Sequence, residues 1–131
     1  MIGNRNSIKL FELDGKTISI KSFKKPNIIN KIAYKYFRKS KARRSFEYAS
    51  KLIEIQIGTP KPIAFYENYD LVGLLDSYYA CEHLENVFEF RAIVQDENFE
   101  NREEIIRQFT MFSAFMHEKG VEFLDHSPGN T

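Results

Sequence analysis

Two runs of alternating apolar and polar residues flank an Asp-Gly pair in the segment Ser7-Ile8-Lys9-Leu10-Phe11-Glu12-Leu13-Asp14-Gly15-Lys16-Thr17-Ile18-Ser19-Ile20-Lys21-Ser22-Phe23. Alternation places successive side chains on opposite faces of a strand, and Asp-Gly suits a tight hairpin turn. In the second run, Ile18 and Ile20 share one face, while Ser19 and Lys21 share the other. The segment therefore predicts a β-hairpin, which Pro26 closes.

Two helices are predicted after the hairpin. The first covers Asn27–Phe37, with Asn27 as its N-cap. The second follows Ser40, runs to about Ile55 and is ended by Gly58. Apolar residues recur at helical spacing of three and four in both segments. They are Ile28, Ile29, Ile32, Ala33, Tyr36 and Phe37 in the first, and Ala42, Phe46, Ala49 and Ile53 in the second.

A second pair of strands is predicted next in the chain. Ile63–Tyr66 and Leu71–Ala80 are rich in β-branched, aromatic and other apolar residues and flank a turn at residues 68–70. Gly73 inside the second run indicates a β-bulge. Residues 81–85 are polar and predict a connector.

A last helix is predicted over Asn101–Lys119, whereas the pattern of residues 88–94 is ambiguous and predicts no element. Asn101 followed by Glu104 is an Asn variant of the capping box, and Gly120 has the position at which helices end in a left-handed residue. Its predicted core stripe is Ile105, Phe109, Phe112 and Met116. The element order β-β-α-α-β-β followed by a helix predicts an α+β fold with an antiparallel sheet plus helices.

The composition is that of a folded, globular chain. It has 131 residues, about one domain, of which 43% are hydrophobic, including twelve Phe and seven Tyr. No apolar run approaches the roughly 18–20 residues of a membrane span, and the polar N-terminal residues do not fit a signal peptide. Cys81 is the single cysteine, which excludes an internal disulfide and fits the reducing cytoplasm.

Charge is distributed unevenly along the chain. Residues 1–66 hold 15 Lys and Arg against 4 Asp and Glu, a net charge of +11, and residues 67–131 hold 4 against 14, a net charge of −10. Between Lys24 and Lys51, Glu47 is the only acid. Such a block predicts an anionic neighbour; the alternative is a solvated basic helix facing the acidic half of the same molecule. The cations proposed to contact an anionic substrate or membrane are Lys35, Arg38, Lys39, Lys41, Arg43 and Arg44.

Four residues occur in the order that phosphoryl transfer by protein kinases uses. Asp125 and Asn130 have the spacing D-x-x-x-x-N, in which the Asp receives or orients a hydroxyl proton and the Asn holds a metal ion. Upstream, Ile18-Ser19-Ile20-Lys21 has the shape of the V-A-I-K strand, whose Lys holds the nucleotide phosphates. Glu47, in the helical region that follows, is the candidate partner of Lys21.

Each of these upstream residues has a simpler explanation. Lys21 taken alone is a surface lysine of a strand, and Glu47 taken alone is an i,i+4 partner of Arg43 or Lys51. The order of the four residues along the chain favours the kinase interpretation. In that layout the segment after the last strand forms the hinge that binds adenine through backbone groups. The predicted hinge residues are Ala80, Cys81, Glu82 and His83.

Five stretches carry a resemblance to a known family. They are Lys21-Ser22-Phe23-Lys24-Lys25-Pro26-Asn27, Phe37-Arg38-Lys39-Ser40-Lys41-Ala42-Arg43-Arg44-Ser45-Phe46-Glu47, Gly58-Thr59-Pro60-Lys61-Pro62, Ser77-Tyr78-Tyr79 and Asp125-His126-Ser127-Pro128-Gly129-Asn130. Over essentially the whole chain they resemble the lipopolysaccharide core kinases, the Kdo- and heptose-phosphorylating enzymes with a protein-kinase-like fold. The resemblance implies ATP and Mg²⁺ as cofactors, Asp125 as catalytic base and Asn130 as magnesium ligand. It further implies a sugar hydroxyl of the lipopolysaccharide core, or of another glycolipid, as acceptor, and a cytoplasmic location, peripheral on the inner membrane.

The resemblance also implies three regions: residues 1–80 as a kinase-like small lobe, 81–85 as the hinge and 86–131 as the start of a large lobe that ends in the catalytic loop. The sequence departs from the kinase pattern in three ways. No G-x-G-x-x-G covers the phosphates, Phe123 stands where kinases carry a His, and no second magnesium-binding Asp follows the loop. We therefore expect either that the natural chain continues beyond Thr131 or that this is a truncated reading frame.

A binding module is the alternative class of function. A catalytically inactive, pseudokinase-like or truncated chain would contact an anionic membrane or glycolipid through its basic helices. Nucleic acid is a weaker candidate for the same cations. Tyr34, Tyr36 and Phe37 lie among them, but these aromatic residues fit the core stripe of a helix better than a stacking platform.

Overall fold

The computed structural model describes residues 6–122 and has the predicted α+β character, with a four-stranded antiparallel sheet and four helices. Internal contacts divide the chain into two compact units, Met1–Leu84 and Glu85–Thr131. The elements of the first unit are β1 (Ser7–Leu13), β2 (Lys16–Phe23), α1 (Ile28–Tyr36), α2 (Lys41–Glu54), β3 (Pro62–Tyr69) and β4 (Leu74–Glu82). Those of the second unit are α3 (Phe90–Gln95) and α4 (Arg102–Glu118).

The first hairpin forms as predicted. Strands β1 and β2 pair antiparallel, and Asp14 and Gly15 at the turn have φ values of 51° and 74°. Positive φ at both central residues gives a turn whose twist matches that of the flanking strands. The four strands lie in the order β1-β2-β4-β3, so β2 and β4 form the centre of the sheet.

Helix α2 covers one face of this sheet. Phe46 of α2 lies against Phe65 of β3, with ring centroids 5.4 Å apart. Phe65 is paired with Tyr79 of β4, and Tyr79 is paired with Lys21 of β2. Residues directly opposite each other on paired strands point to the same side. Lys21 therefore lies on the helix-covered face of the sheet.

Both N-caps of the first unit follow from short-range chemistry. The side chain of Asn27 accepts a hydrogen bond from Asn30 N, and that of Ser40 accepts one from Arg43 N. Each bond satisfies a backbone donor that a helix leaves free in its first turn. Ser40 is completely buried, as is Ala42 in the following turn. The start of α2 is therefore a well-packed point of the fold.

The direction of the apolar stripe of α1 was predicted wrongly. Tyr36 and Phe37 were expected in the core stripe of this helix, yet they and the neighbouring Ile28 and Ile29 are all more than 60% exposed. The helix is held to β4 and to the loop before β4 by other residues, and these four apolar residues face outward. Ile53, which was grouped with Ala42 and Ala49 by its spacing in α2, is exposed, whereas those two are buried.

Gly73 has a different role from the predicted β-bulge. The irregularities in the β3–β4 register fall between Pro62 and Ala64 and between Asn68 and Tyr69. Gly73 instead lies where the loop between β3 and β4 meets α1, because a Cβ on it would be 2.3 Å from the carbonyl oxygen of Lys31. Glycine is needed at this position for close backbone approach.

The second unit contains α3 and α4, and α3 resolves the ambiguity of residues 88–94 in favour of a helix. Phe90 of α3 stacks on Phe109 of α4, with ring centroids 4.5 Å apart. The capping box at the start of α4 is not formed, because Asn101 has a left-handed φ of 57° and its side chain makes no capping bond. Gly120 follows the helix with φ 74°, as predicted. Within residues 6–122, no helix is both long and apolar enough to cross a bilayer.

Candidate functional site

Lys21 is the predicted phosphate ligand, and it is half-buried near the centre of the helix-covered face of the sheet. Its Nζ lies 5.5 Å from the centroid of the Phe23 ring, a cation–π contact. Its charge also acts on Cys81 of the neighbouring strand, where it partly offsets the rise in the thiol pKa that burial causes. Among residues 6–122, Lys21 forms no ion pair. Its charge therefore remains available to an anionic ligand.

Glu47 is occupied by two cations from its own neighbourhood. Lys39 Nζ donates to Glu47 Oε2 at 2.7 Å, and Arg43 Nε donates to Oε1 at 2.9 Å. These bonds, with that from Lys39 the stronger cause, lower the pKa of Glu47. The ion pair with Lys21 that the kinase pattern predicts is not formed in this structure. The observed Arg43 contact is the i,i+4 pair that was the simpler alternative for this glutamate.

The predicted adenine hinge continues the sheet. Ala80, Cys81 and Glu82 lie in β4, and only His83 follows the strand. The N–H groups of Glu82 and His83 already donate to Lys61 O and Thr17 O, each at 2.9 Å. An adenine ring could therefore use these two donors only by displacing sheet bonds.

The hinge side chains are also engaged. Glu82 accepts from Lys16 Nζ at 3.0 Å, which lowers the pKa of the carboxyl group. His83 Nδ1 lies 3.0 Å from Ser19 Oγ. Both contacts join the predicted hinge to β2, so the hinge segment is held against a central strand of the sheet.

The predicted catalytic base Asp125 and the predicted magnesium ligand Asn130 lie outside the described residues. Within residues 6–122, no three His, Cys, Asp or Glu side chains are grouped so that they could hold a metal ion. The only sequence-predicted magnesium ligand is therefore in the part of the chain that the structure does not describe.

A basic cleft, which we call the first cleft, lies between the end of β2 and the starts of α1 and α2. It encloses about 390 Å³ and is lined by Phe23, Lys24, Lys25, Pro26, Asn27, Asn30, Tyr34, Lys41, Leu74 and Ser77. Three of its residues are lysines, none is acidic, and Ser77 is a polar residue that is only 3% exposed. Asn27, the N-cap of α1, and Asn30 in its first turn also line the cleft. The arrangement is complementary to a phosphate or another anion.

A second cleft of about 260 Å³ lies beside the connection between α1 and α2. Four of the six predicted patch cations line it, namely Lys35, Arg38, Lys39 and Arg43. The second cleft is less basic than the first because Glu67 lines it too and Glu47 neutralises two of the cations. Of the remaining two patch cations, Lys41 lines the first cleft and Arg44 has a buried Nε without a hydrogen-bond partner.

The first cleft was only partly foreseen. Lys24 and Lys25 belong to the basic window of the sequence, but the predicted patch began at Lys35. Both lysines directly precede Pro26 and the N-cap Asn27, where a strand ends and a helix begins. This position could have indicated that they line an anion-binding cleft. Ser77 belongs to a stretch that carries the family resemblance, but nothing in the sequence placed it in a cleft, because strand pairing across the sheet brings it there.

Comparisons of the chain with models of protein families, with curated proteins and with solved structures found no match.

Proposed function

We propose that this chain takes part in ATP-dependent transfer of a phosphoryl group to a sugar hydroxyl of the lipopolysaccharide core, as the kinase family that it resembles does. The sheet with α1 and α2 would form the small lobe, and the phosphoryl transfer would take place at the cytoplasmic face of the inner membrane. The observation that carries the proposal is the position of Lys21, half-buried on the helix-covered face of a central strand and free of any ion pair in residues 6–122.

The proposed chemistry depends on positioning and charge. Phosphoryl transfer develops negative charge on oxygen atoms, and most of the catalysis comes from cations and donors placed around them. Lys21 would neutralise nucleotide phosphates, Asp125 would orient the acceptor hydroxyl and Asn130 would help to hold Mg²⁺. Oxygen ligands such as these suit a hard cation.

Glu47 has a conditional role in this proposal. Its carboxylate is held by Lys39 and Arg43, so pairing with Lys21 requires that those contacts be exchanged. Both are partly exposed ion pairs, and exposed pairs of this kind contribute little to stability. Breaking these two ion pairs therefore costs little free energy, and nucleotide binding at Lys21 would favour the new pair of Glu47 with Lys21.

The first test is the binding of Mg·ATP to the whole chain by isothermal titration. We expect Lys21→Ala to weaken binding by about tenfold or more, equal to about 1.4 kcal/mol. Lys9→Ala is the matched control, because Lys9 lies on the neighbouring strand β1 and is exposed. Equal affinity of Lys21→Ala and the unaltered chain would remove the residue from the proposed site.

The second test is transfer of labelled phosphate from ATP to lipopolysaccharide core sugars. Asp125→Ala should abolish transfer and leave nucleotide affinity unchanged, since the Asp acts on the acceptor. Loss of affinity in this variant, or unchanged transfer, would contradict the assigned role.

A second candidate function is supported by the first cleft. A module without turnover would bind an anionic glycolipid there, since Lys24, Lys25 and Lys41 line a cavity without an acid. Binding of a phosphorylated sugar should then be independent of nucleotide and should fall in Lys24→Ala/Lys41→Ala. Phosphorylated-sugar binding that requires ATP would favour the kinase instead.

A further inference from the structure

Helix α1 presents a continuous apolar face to solvent. Ile28, Ile29, Ile32 and Tyr36 are 71%, 79%, 42% and 65% exposed. At about 100° per residue these positions fall within about 100° of arc, a single stripe along the helix. Phe37 at the helix end is 84% exposed, and Leu71 in the adjoining loop is 97% exposed. The surface formed by these six residues is called the α1 face below.

The outward direction of the α1 face is fixed by the other side of the helix. Lys31 Nζ binds Asp70 Oδ2 at 2.5 Å, and Lys35 Nζ donates to the carbonyl oxygen of Leu71 at 2.8 Å. Gly73 lies so close to the carbonyl group of Lys31 that a Cβ would collide with it. Two polar tethers and one backbone contact therefore hold the polar side inward, so the stripe cannot turn to the core without breaking them.

The charge around the α1 face is mainly positive, although Asp70 binds Lys31 and Glu67 lines the second cleft beside Tyr36 and Phe37. Residues 24–46 contain nine Lys and Arg and no Asp or Glu. Within residues 6–122, Lys24, Lys25, Arg38 and Lys41 form no ion pair. The first two precede the helix and the last two follow it, so unpaired cations stand at both of its ends.

An exposed apolar stripe with cations beside it fits an anionic bilayer surface. Amphipathic helices of this composition lie in the interface plane, with apolar side chains at the boundary between head groups and acyl chains and cations against anionic lipid. A second copy of the chain is a poorer occupant, because an isologous contact would bring the two cationic rims together. An anionic bilayer supplies both an apolar layer and a plane of negative charge.

We propose that the α1 face is a membrane-docking surface, with α1 lying parallel to an anionic bilayer. Ile28, Ile29, Tyr36, Phe37 and Leu71 enter the interface, while the cations before and after the helix contact lipid phosphates. The inference does not rest on the kinase proposal, because it requires neither nucleotide nor Asp125. It assigns a function to an apolar stripe that the hydrophobic core of the fold leaves exposed.

Vesicle flotation of the whole chain tests the proposal. We expect binding to vesicles of about three parts phosphatidylcholine to one part phosphatidylglycerol, with little binding to phosphatidylcholine alone. Ile28→Ser/Ile29→Ser should lower the partition coefficient by about tenfold or more. The control Leu10→Ser/Leu13→Ser alters two similarly exposed apolar residues of β1 and should bind like the unaltered chain.

The cationic part of the surface has its own variant. Lys24→Ala/Lys25→Ala should weaken binding to the anionic vesicles by about tenfold or more, since each cation near the surface contributes about fivefold. Added salt should weaken binding of the unaltered chain in the same direction. Lys9→Ala/Lys61→Ala removes two exposed lysines that lie outside residues 24–46 and is the matched control.

A fluorescent reporter places the contact on α1 itself. The chain contains no tryptophan, so Phe37→Trp introduces a single tryptophan, which can be excited selectively over the tyrosines, at the end of the α1 face. Its emission should shift to the blue with anionic vesicles, whereas Leu13→Trp on β1 should not shift. Circular dichroism of every variant checks the fold, and exposed positions should leave it intact.

Two results would overturn the proposal. One is flotation of Ile28→Ser/Ile29→Ser equal to that of the unaltered chain. The other is a concentration-dependent dimer in analytical ultracentrifugation that the same variant abolishes, which would assign the α1 face to a second copy.

Discussion

Gly73→Ala tests the closest backbone contact in the first unit. Gly73 is the last residue of the loop between β3 and β4, and it lies against the main chain of α1. A Cβ on this residue would lie 2.3 Å from the carbonyl oxygen of Lys31 and 2.6 Å from its carbon. Contacts under 3.0 Å are essentially never adopted by real Cβ atoms. The substitution therefore forces the loop and the helix apart.

The required movement sets the expected cost. The separation must grow from 2.3 to at least 3.0 Å, a displacement of 0.7 Å between two pieces of main chain. Neither can give way as a flexible side chain would, and the Lys31–Asp70 and Lys35–Leu71 bonds span the same gap. Overpacking costs about 1–3 kcal/mol, and we expect the upper half of that range. For a unit of this size the unfolding midpoint should fall by about 10–20 °C.

The measurement is thermal and urea unfolding followed by circular dichroism. Gly58→Ala is the matched control, because no atom lies within 4 Å of its added Cβ and its φ is not left-handed. It should leave stability unchanged or raise it by up to about 1 kcal/mol. If Gly73→Ala unfolded within about 0.5 kcal/mol of the unaltered chain, the close contact of loop and helix would be refuted.

Three further outcomes concern single side chains. Lys31 and neighbouring backbone N–H groups lower the pKa of Asp70 from 3.8 to about 2. The ionised Asp70 therefore stabilises the fold above pH 3.8, and this contribution is lost as the pH falls towards 2. In Asp70→Asn, the urea midpoint should no longer change with pH over that range on account of this residue. Burial raises the pKa of the Cys81 thiol and Lys21 partly opposes it, so Lys21→Ala should slow alkylation of Cys81 by iodoacetamide, measured by mass spectrometry. Ser40→Ala should lower the free energy of unfolding by about 1–2 kcal/mol, measured in urea, since a buried N-cap loses its hydrogen bond.

Short-range features were predictable because their causes lie within a few residues. Asp14-Gly15 predicts its turn from the φ values that the pair tolerates, and Ser40 caps a helix because its hydroxyl reaches a donor three residues away. Asn101 shows the limit of such reasoning. It occupies the N-cap position with an acid three residues later, yet its left-handed backbone excludes the capping bond.

The sequence predicted which residues belong to the candidate site better than it predicted their contacts. Lys21 was assigned to a strand and lies on one, but periodicity alone could not show that its face of the sheet is covered by α2. Glu47 was assigned a partner from the kinase pattern, while the structure gives it Lys39 and Arg43. Ion pairs depend on which long side chains converge, and a glutamate surrounded by cations has several choices.

The sequence by itself determined the order of strands and helices in the first unit, its two N-caps and the excess of positive charge between Lys24 and Lys51. All of these follow from local backbone preferences or from composition. Only the tertiary structure decided that α1 turns its apolar stripe outward, because that choice depends on Gly73 and Asp70, about 40 positions further along the chain. An amphipathic pattern specifies that a helix has two different faces; the contacts made by distant residues select which of them is buried.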